Sequence, residues 1–456
     1  MNGDKIAQKA PLLPRRTLMK KFVTISSILA LSATVSSASA ATTVDYWLWD
    51  SSQLPAYQQC AKDFQKLNPD INIKISQKGW NDYWTGITTG FVAGTAPDVF
   101  TNHLSKYPEF ALNGQIVDVS PWIKRDNVKT DIYLEGLYSL WGRDGKQYGL
   151  PKDWDTVAII YNKDMLKKAG ISEKTLSSLK WNPRDGGTFE KLIAQLSLDQ
   201  NGNNGLSRSF DKTKVKQYGF VSPFDPNPYG QTGWSWLAAS NGFKYNDGLY
   251  ATKYYYDDPR LAETIQWLTD LSLKKGLLMP YKDSRGLGAN SNFVAGKAAL
   301  TTDGSWMIKW YIENAKFDVG FALLPVGPTG KRVSMFNGLA DSIWVGSKHK
   351  EEAWKWVKYL GSDACESAVG KFGVVFPATK KGVSNALAAH KKNGADVSAF
   401  TKLTQTKGST FLFPITDNAS EINSIMTTAL ENVYLGKTDA ASALRDANEK
   451  VNKLFK

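Results

Sequence analysis

The chain has 456 residues, 42% of them hydrophobic and 22% charged. That length exceeds one compact core and asks for two or three domains, and the composition excludes a disordered or fibrous chain. The formal net charge is +13, but the lysines are scattered rather than blocked, which reads as a solvated surface and excludes a nucleic-acid footprint.

Residues 15–40 read as an export signal. Arg15-Arg16 and Lys20-Lys21 form a positive start, and residues 22–35 are apolar but too few to span a bilayer. Ala38-Ser39-Ala40 is a small-residue cleavage site, so the mature chain is expected to begin at Ala41. Arg15-Arg16-Thr17-Leu18-Met19-Lys20 resembles the twin-arginine export motif; a general secretory leader with extra arginines is the alternative. No cysteine lies near the cleavage site, so no lipid anchor is expected, and the protein should be periplasmic.

After the leader, an aromatic strand is predicted over 44–49 and a turn over 50–52. Cys60, Phe64 and Leu67 recur at helical spacing in a helix over 54–67, which Asn68-Pro69-Asp70 ends. A strand over 71–75, a helix over 81–93 closed by Gly94, and a short strand at 99–100 follow. The same alternation continues with a strand over 157–161, helices over 163–169 and 188–198, and a Pro/Gly/aromatic loop over 222–233. Beyond it come a helix over 259–275, a helix–strand pair over 290–300, and strands over 319–323 and 342–345. Helices over 350–360, 363–372, 421–435 and 440–454 complete the chain. This rhythm predicts an α/β protein with helices on the faces of sheets.

Cys60 and Cys365 are the two cysteines. An exported protein allows one disulfide between them, and two buried thiols fit the sequence equally. Asp199, Asn201 and Asn203 alternate as oxygen ligands do in calcium loops, but the glycine falls one place late and no glutamate stands at the twelfth position. An ordinary Asx/Gly turn is the favoured reading there, and no metal or cofactor is expected.

Four segments, in order, resemble the extracellular solute-binding proteins that serve ABC sugar importers, the maltose-binding type. They are Gly94-Thr95-Ala96-Pro97-Asp98-Val99-Phe100; Tyr148-Gly149-Leu150-Pro151 with Asp155-Thr156 and Tyr161-Asn162-Lys163-Asp164; Phe293-Val294-Ala295-Gly296-Lys297 running to Asp303-Gly304-Ser305-Trp306; and Asn337-Gly338-Leu339. The resemblance implies a two-lobed periplasmic-binding-protein fold joined by a hinge that the chain crosses more than once. It places one lobe at 42–152 plus 338–372 and the other at 153–337 plus 373–456. It also implies a membrane permease as partner and a carbohydrate, mono- or oligosaccharide, as ligand. A monomer is expected.

A sugar offers hydroxyls at its rim and C–H groups on its faces, so its site needs aromatic platforms beside carboxylates and amides. The resemblance implies Trp306 as a stacking platform and Asp155 as a hydroxyl acceptor, with Trp154 on the same wall. It marks Trp49-Asp50-Ser51, Asn102-His103 and Asn337-Gly338 as ligand loops. Tyr229, Gln231, Trp234 and Trp236 form an aromatic–polar run from which one or two side chains are expected to reach ligand. The three histidines are too scattered for a metal site or a triad. The rival reading is a secreted carbohydrate-active enzyme with a carboxylate pair; Asp153 and Asp155 can be imagined in that role, but alternation sends i and i+2 to the same side in any strand. No nucleophile or metalloprotease motif supports it.

Overall fold

The computed structural model describes residues 41–456; the export signal expected at 15–40 lies outside the described residues. Two sheets organise the chain. In the first, strand Thr42–Leu48 pairs in parallel with Ile71–Gln77 and Val99–Asn102, with helices Leu54–Leu67 and Trp80–Ala93 as the connections. The long strand Ser334–Ile343 then runs antiparallel between Val99–Asn102 and Leu150–Asp155, and Phe376–Pro377 closes the edge. The second sheet takes Val157–Asn162 between Val319–Ala322 and Ala298–Gly304, followed by Val215–Val221 and Leu198–Asp199.

Thr156 alone separates the last residue of a first-sheet strand from the first residue of a second-sheet strand. Its hydroxyl donates to the Phe400 carbonyl at 2.7 Å, and its own carbonyl accepts from the Ser305 N–H at 3.0 Å. The chain returns from Val319–Ala322 to Ser334–Ile343, where the Ser334 hydroxyl accepts from the Val157 N–H at 2.9 Å. Several passes between the sheets therefore lie side by side.

The predicted strand over 342–345 is instead Ser334–Ile343, ten residues that are buried throughout. Leu150–Asp155 is also a fully buried strand where only motifs were read. Both carry polar residues at positions that alternation would reserve for solvent, because each is covered on both faces. Helix Lys380–Lys392, not anticipated, packs on Asp363–Phe372. A Cβ on Gly370 would come within 2.3 Å of the Gly382 carbonyl oxygen, so these glycines set how closely the two helices approach.

The two cysteines are joined, Cys60 in helix Leu54–Leu67 and Cys365 in Asp363–Phe372. A buried cation braces the first sheet: Lys152 donates to the Tyr46 hydroxyl at 2.9 Å and to Thr101 Oγ1 at 3.0 Å, with Asp341 Oδ1 at 3.4 Å. One ammonium thus ties three strands and the residue before Asp153. Among the described residues no helix is long and apolar enough to cross a membrane.

Candidate functional site

A cavity of about 960 Å3 opens where loops of both sheets converge, at the upper end of the range of small-molecule sites. Its floor is the pair of strands Leu150–Asp155 and Ser334–Ile343, in which Asp155 faces Asn337 and Asp153 faces Leu339 across the ladder. Asp153 Oδ1 accepts from the Leu339 N–H at 3.0 Å, while Oδ2 is buried with no hydrogen-bond partner in the protein. Asp155 Oδ1 accepts from the Gln231 amide at 2.7 Å. Burial pushes Asp153 up to about 7, with the Lys152 ammonium pulling the other way. Burial, and then the charge of Asp153, hold Asp155 well above the ordinary carboxylate range.

Two further carboxylates line the cavity. Asp50 accepts from the Ser52 N–H at 2.8 Å and the Gln53 amide at 2.9 Å, which folds the turn after strand Thr42–Leu48. Asp225 Oδ2 gathers the Thr232 N–H and hydroxyl and the Gly233 N–H at 2.7–2.9 Å, which fixes the loop bearing Tyr229 and Gln231.

The walls are aromatic. Trp49 meets Trp80 with ring centroids 5.1 Å apart, and His103 lies 6.4 Å from Trp49 and 5.4 Å from Phe413. Phe413 in turn lies 4.3 Å from Tyr229. The row therefore runs from the first sheet's loops to the loop of the second. His103 contacts Ser105 Oγ through Nδ1 at 2.9 Å, and burial, aided by Lys106, lowers it to about 3. At physiological pH it stands in the wall as a neutral imidazole.

Trp306 reaches the cavity from the turn after strand Ala298–Gly304. A Cβ on Gly304 would lie 1.9 Å from the Trp306 ring. The indole lies against its own strand end because that residue has no side chain. Trp310 follows four residues later, in helix Ile308–Asn314, and also lines the cavity.

Ten of the residues singled out in the sequence line this cavity: Trp49, Asp50, Ser51, His103, Trp154, Asp155, Tyr229, Gln231, Trp306 and Asn337. Trp154 does so mainly as floor, its ring stacked on Phe376 at 4.9 Å. Asn337 turns its carbonyl to the Gly338 N–H at 2.9 Å and its amide toward His103 Nε2 at 3.3 Å.

Four lie elsewhere. Asn102 is buried in its sheet, donating to Ser342 Oγ at 3.0 Å and accepting from the His103 N–H. Trp234 is buried and donates to the Asp225 carbonyl at 3.0 Å, and Trp236 packs against Phe189. Gly338 serves strand packing, since a Cβ there would sit 2.8 Å from the Asp153 carbonyl oxygen.

The candidate calcium loop is an organised turn. The Asp199 carboxylate accepts from the N–H groups of Asn201, Asn203 and Asp211 and from the Asn203 amide, at 2.9–3.0 Å. Those donors favour the charged carboxylate and hold its pKa below the ordinary value. Among the described residues there is no cluster of three or more His, Cys, Asp or Glu side chains suited to a metal.

Sequence reasoning missed Trp80, Asp225, Trp310 and Phe413. Three carried a signal. Trp80 follows the end of strand Ile71–Gln77 as Trp49 follows that of Thr42–Leu48, and Trp310 is one helical turn beyond Trp306. Asp225 lies in the same Pro/Gly/aromatic loop as Tyr229 and Gln231 and could have been taken with them; Phe413 carried no signal, being brought in by a distant loop.

The model of the bacterial extracellular solute-binding protein family matches residues 50–364. A binding protein of Brucella abortus is 27% identical over 439 residues, covering 94% of this chain and 96% of its own. The maltodextrin-binding protein of Bacillus subtilis is 28% identical over 306 residues, 66% of this chain and 65% of its own. An ABC substrate-binding protein from Listeria monocytogenes, solved in complex with cycloalternan, superposes with a TM-score of 0.77 at 22% identity. It covers 91% of this chain and 99% of that one. That likeness is one of fold: two lobes about a cleft.

Proposed function

Because this chain belongs to the bacterial extracellular solute-binding protein family, we propose that its cleft takes a mono- or oligosaccharide, closes over it and delivers it to the permease of an ABC importer. The observation that carries this reading is the composition of the cavity: buried carboxylates with acceptor capacity at the floor, indole and phenol rings on the walls. Hydroxyl groups donate to the former and the C–H faces of a pyranose lie on the latter. The names of the Bacillus and Listeria relatives, a maltodextrin binder and a cycloalternan complex, agree with that chemistry.

Residues from both sheets touch the one cavity, so a bound sugar stabilises the approach of the two halves; hinge closure of this kind is described for periplasmic binding proteins generally. The lobes that close are those built on the two sheets; the sequence drew them at 42–152 plus 338–372 and at 153–337 plus 373–456, but Leu150–Asp155, Ser334–Ile343 and Phe376–Pro377 all pair in the first sheet and Lys380–Lys392 packs on Asp363–Phe372, so the first lobe takes in 153–155, 334–337 and 373–392 as well. We place the mature protein in the periplasm, exported by the leader and acting as a monomer.

The family is one of binders, and the chain is not an enzyme. Asp153 and Asp155 serve as hydroxyl partners, accepting through a bare oxygen and donating where protonated. A thermal-shift screen of the mature chain against mono- and oligosaccharides tests the reading, since a ligand specific to the folded form raises the midpoint. The stabilising sugar should be recovered unchanged after long incubation. A panel without any stabilising sugar, or turnover of the one that binds, would overturn it.

A further inference from the structure

The scatter of lysines along the sequence conceals an imbalance. Residues 371–416 hold seven lysines against a single acidic side chain, Asp396, so about a tenth of the chain carries nearly half of the +13 excess. Five of the seven stand on one helix pair: Lys371 in the last turn of Asp363–Phe372, and Lys380, Lys381, Lys391 and Lys392 on helix Lys380–Lys392. All five are exposed. Lys358 on the preceding helix pairs with Asp126 at 2.7 Å, but among the described residues none of these five has an ion-pair partner. Like charges left together repel one another, and an anionic partner relieves that cost.

The helix pair is held firmly. Cys365 is joined to Cys60, the Glu366 carboxylate accepts from the Ala378 N–H at 2.7 Å, and Thr379 Oγ1 accepts from the Gly382 N–H at 3.1 Å. A Cβ on Gly373 would lie 3.5 Å from the Ala389 and His390 side chains, so the helix end carrying Lys371 meets the one carrying Lys391 and Lys392. Burial lowers His390 to about 4, and it adds no charge there. Phe372, 38% exposed, stands next to Lys371 as an apolar contact. From Lys381 to Lys391 the helix runs about 15 Å, and the exposed residues between them, Ser384 and Ala388, are too short to hold a flat partner away.

Lysine is a point charge on a flexible stem and lacks the fork with which arginine grips one phosphate. Such charges spread along a helix suit a diffuse anionic surface, and basic clusters of this size beside a membrane read as contacts with anionic lipid. Going beyond the carbohydrate reading, and resting on its placement of the protein in the periplasm, we propose that this helix pair docks on an anionic lipid bilayer. None of the five lysines lines the cavity, so docking and sugar binding use separate surfaces, and a docked protein searches for its permease in the plane of the membrane.

The test is cosedimentation of the mature protein with vesicles of phosphatidylcholine alone or with about one-third phosphatidylglycerol, at low and high salt. The patch variant combines Lys380→Ala, Lys381→Ala, Lys391→Ala and Lys392→Ala. A control variant removes the same charge from exposed lysines elsewhere, with Lys146→Ala, Lys167→Ala, Lys168→Ala and Lys282→Ala. The wild type should bind the anionic vesicles at least tenfold better than the neutral ones, and salt should erode that preference. The patch variant should lose it about tenfold while the control stays within about twofold, with thermal midpoints equal to the wild type certifying both folds. Wild-type protein that binds both vesicles alike overturns the proposal, as does an equal loss in the two variants, which assigns the effect to total charge. Either result leaves the carbohydrate reading standing, because sugar titration decides that reading and both variants should match the wild type in it.

Discussion

Trp306 owes its place to a missing methyl group. Gly304→Ala puts a Cβ about where the Trp306 ring now sits, so we predict that this substitution displaces the platform and weakens sugar binding. Trp306→Ala should cost about 1.5–3 kcal/mol of stacking burial, roughly ten- to hundredfold in affinity. The two losses should not add, because the glycine matters only through the ring. Titration of both single variants and the double variant measures this; additive losses would detach Gly304 from Trp306. Asp153 makes a second prediction through pH. Its folded pKa, about 7, lies above the ordinary aspartate value of about 3.9. The native state thus keeps a proton that the unfolded chain gives up, and this contribution is complete below about pH 4 and lost as pH rises through about 7. Asp153→Asn removes it, so in urea melts between pH 4.5 and 8 the variant should gain on the wild type as pH rises. A constant difference would show that Asp153 is not held protonated. Residue-level legibility was uneven for physical reasons. Trp306 and Asp155 stand in contiguous motifs at strand ends, where a side chain is aimed by its own segment. Trp234 and Trp236 shared a run with Tyr229, yet a short helical turn buries both, and composition alone cannot tell which rings of a run face inward.

The elements that build the cleft were harder to read than those around it. Leu54–Leu67, Ile71–Gln77 and Lys350–Leu360 each have one face on the core and one toward water, so periodicity exposes them. Leu150–Asp155 has neither face in water. Its Lys152, Asp153 and Asp155 are buried for specific partners, and that pattern is indistinguishable from a loop until the partners are known. The same holds for Asn337 and Asp341 within Ser334–Ile343. The link between helices Leu54–Leu67 and Asp363–Phe372 was likewise undecidable, since the cysteines are 305 residues apart in sequence. That separation has a consequence for stability. Closing so long a loop restricts the unfolded chain strongly, and removing a native disulfide from small secreted domains costs roughly 2–5 kcal/mol. We predict that Cys60→Ala with Cys365→Ala lowers unfolding free energy by about that much, with sugar affinity unchanged because neither cysteine lines the cavity. Denaturant melts of the oxidised wild type and the double variant check it. Equal midpoints would mean that helix packing, not the cross-link, carries the constraint.

At the scale of the whole molecule, the two halves also touch without any ligand between them. Arg143, on the first-sheet side, forks onto the Asp417 carboxylate, its second nitrogen 2.6 Å from Oδ2, and its guanidinium lies 4.7 Å from the Tyr250 ring. Beside it the Tyr107 and Tyr250 hydroxyls are 2.6 Å apart, and Glu109 accepts from the Ser420 N–H and hydroxyl at 3.0 Å. Tyr107, Glu109 and Arg143 precede the first crossing. Asp417 precedes and Ser420 lies in the first turn of helix Ala419–Tyr434, which packs with Pro259–Leu273 and Ala440–Lys453. These bonds break when the halves part, so they bias the molecule toward closure before sugar arrives. The ion pair is partly shielded, with side chains 19% and 27% exposed, and with its aromatic contact it should contribute about 1 kcal/mol. That is roughly fivefold in the ratio of closed to open forms. A ligand that binds only the closed form loses affinity in proportion to the closed fraction. We therefore predict that Arg143→Ala weakens sugar binding up to about fivefold and enlarges the sugar-free protein in small-angle scattering. The saturated complexes should coincide, because bound sugar restores closure. Raising salt should erode wild-type affinity more than that of the variant, since the pair is screened and the variant has none. If Arg143→Ala leaves both the sugar-free dimensions and the affinity at wild-type values, the bridge is incidental, and closure is driven by the sugar alone.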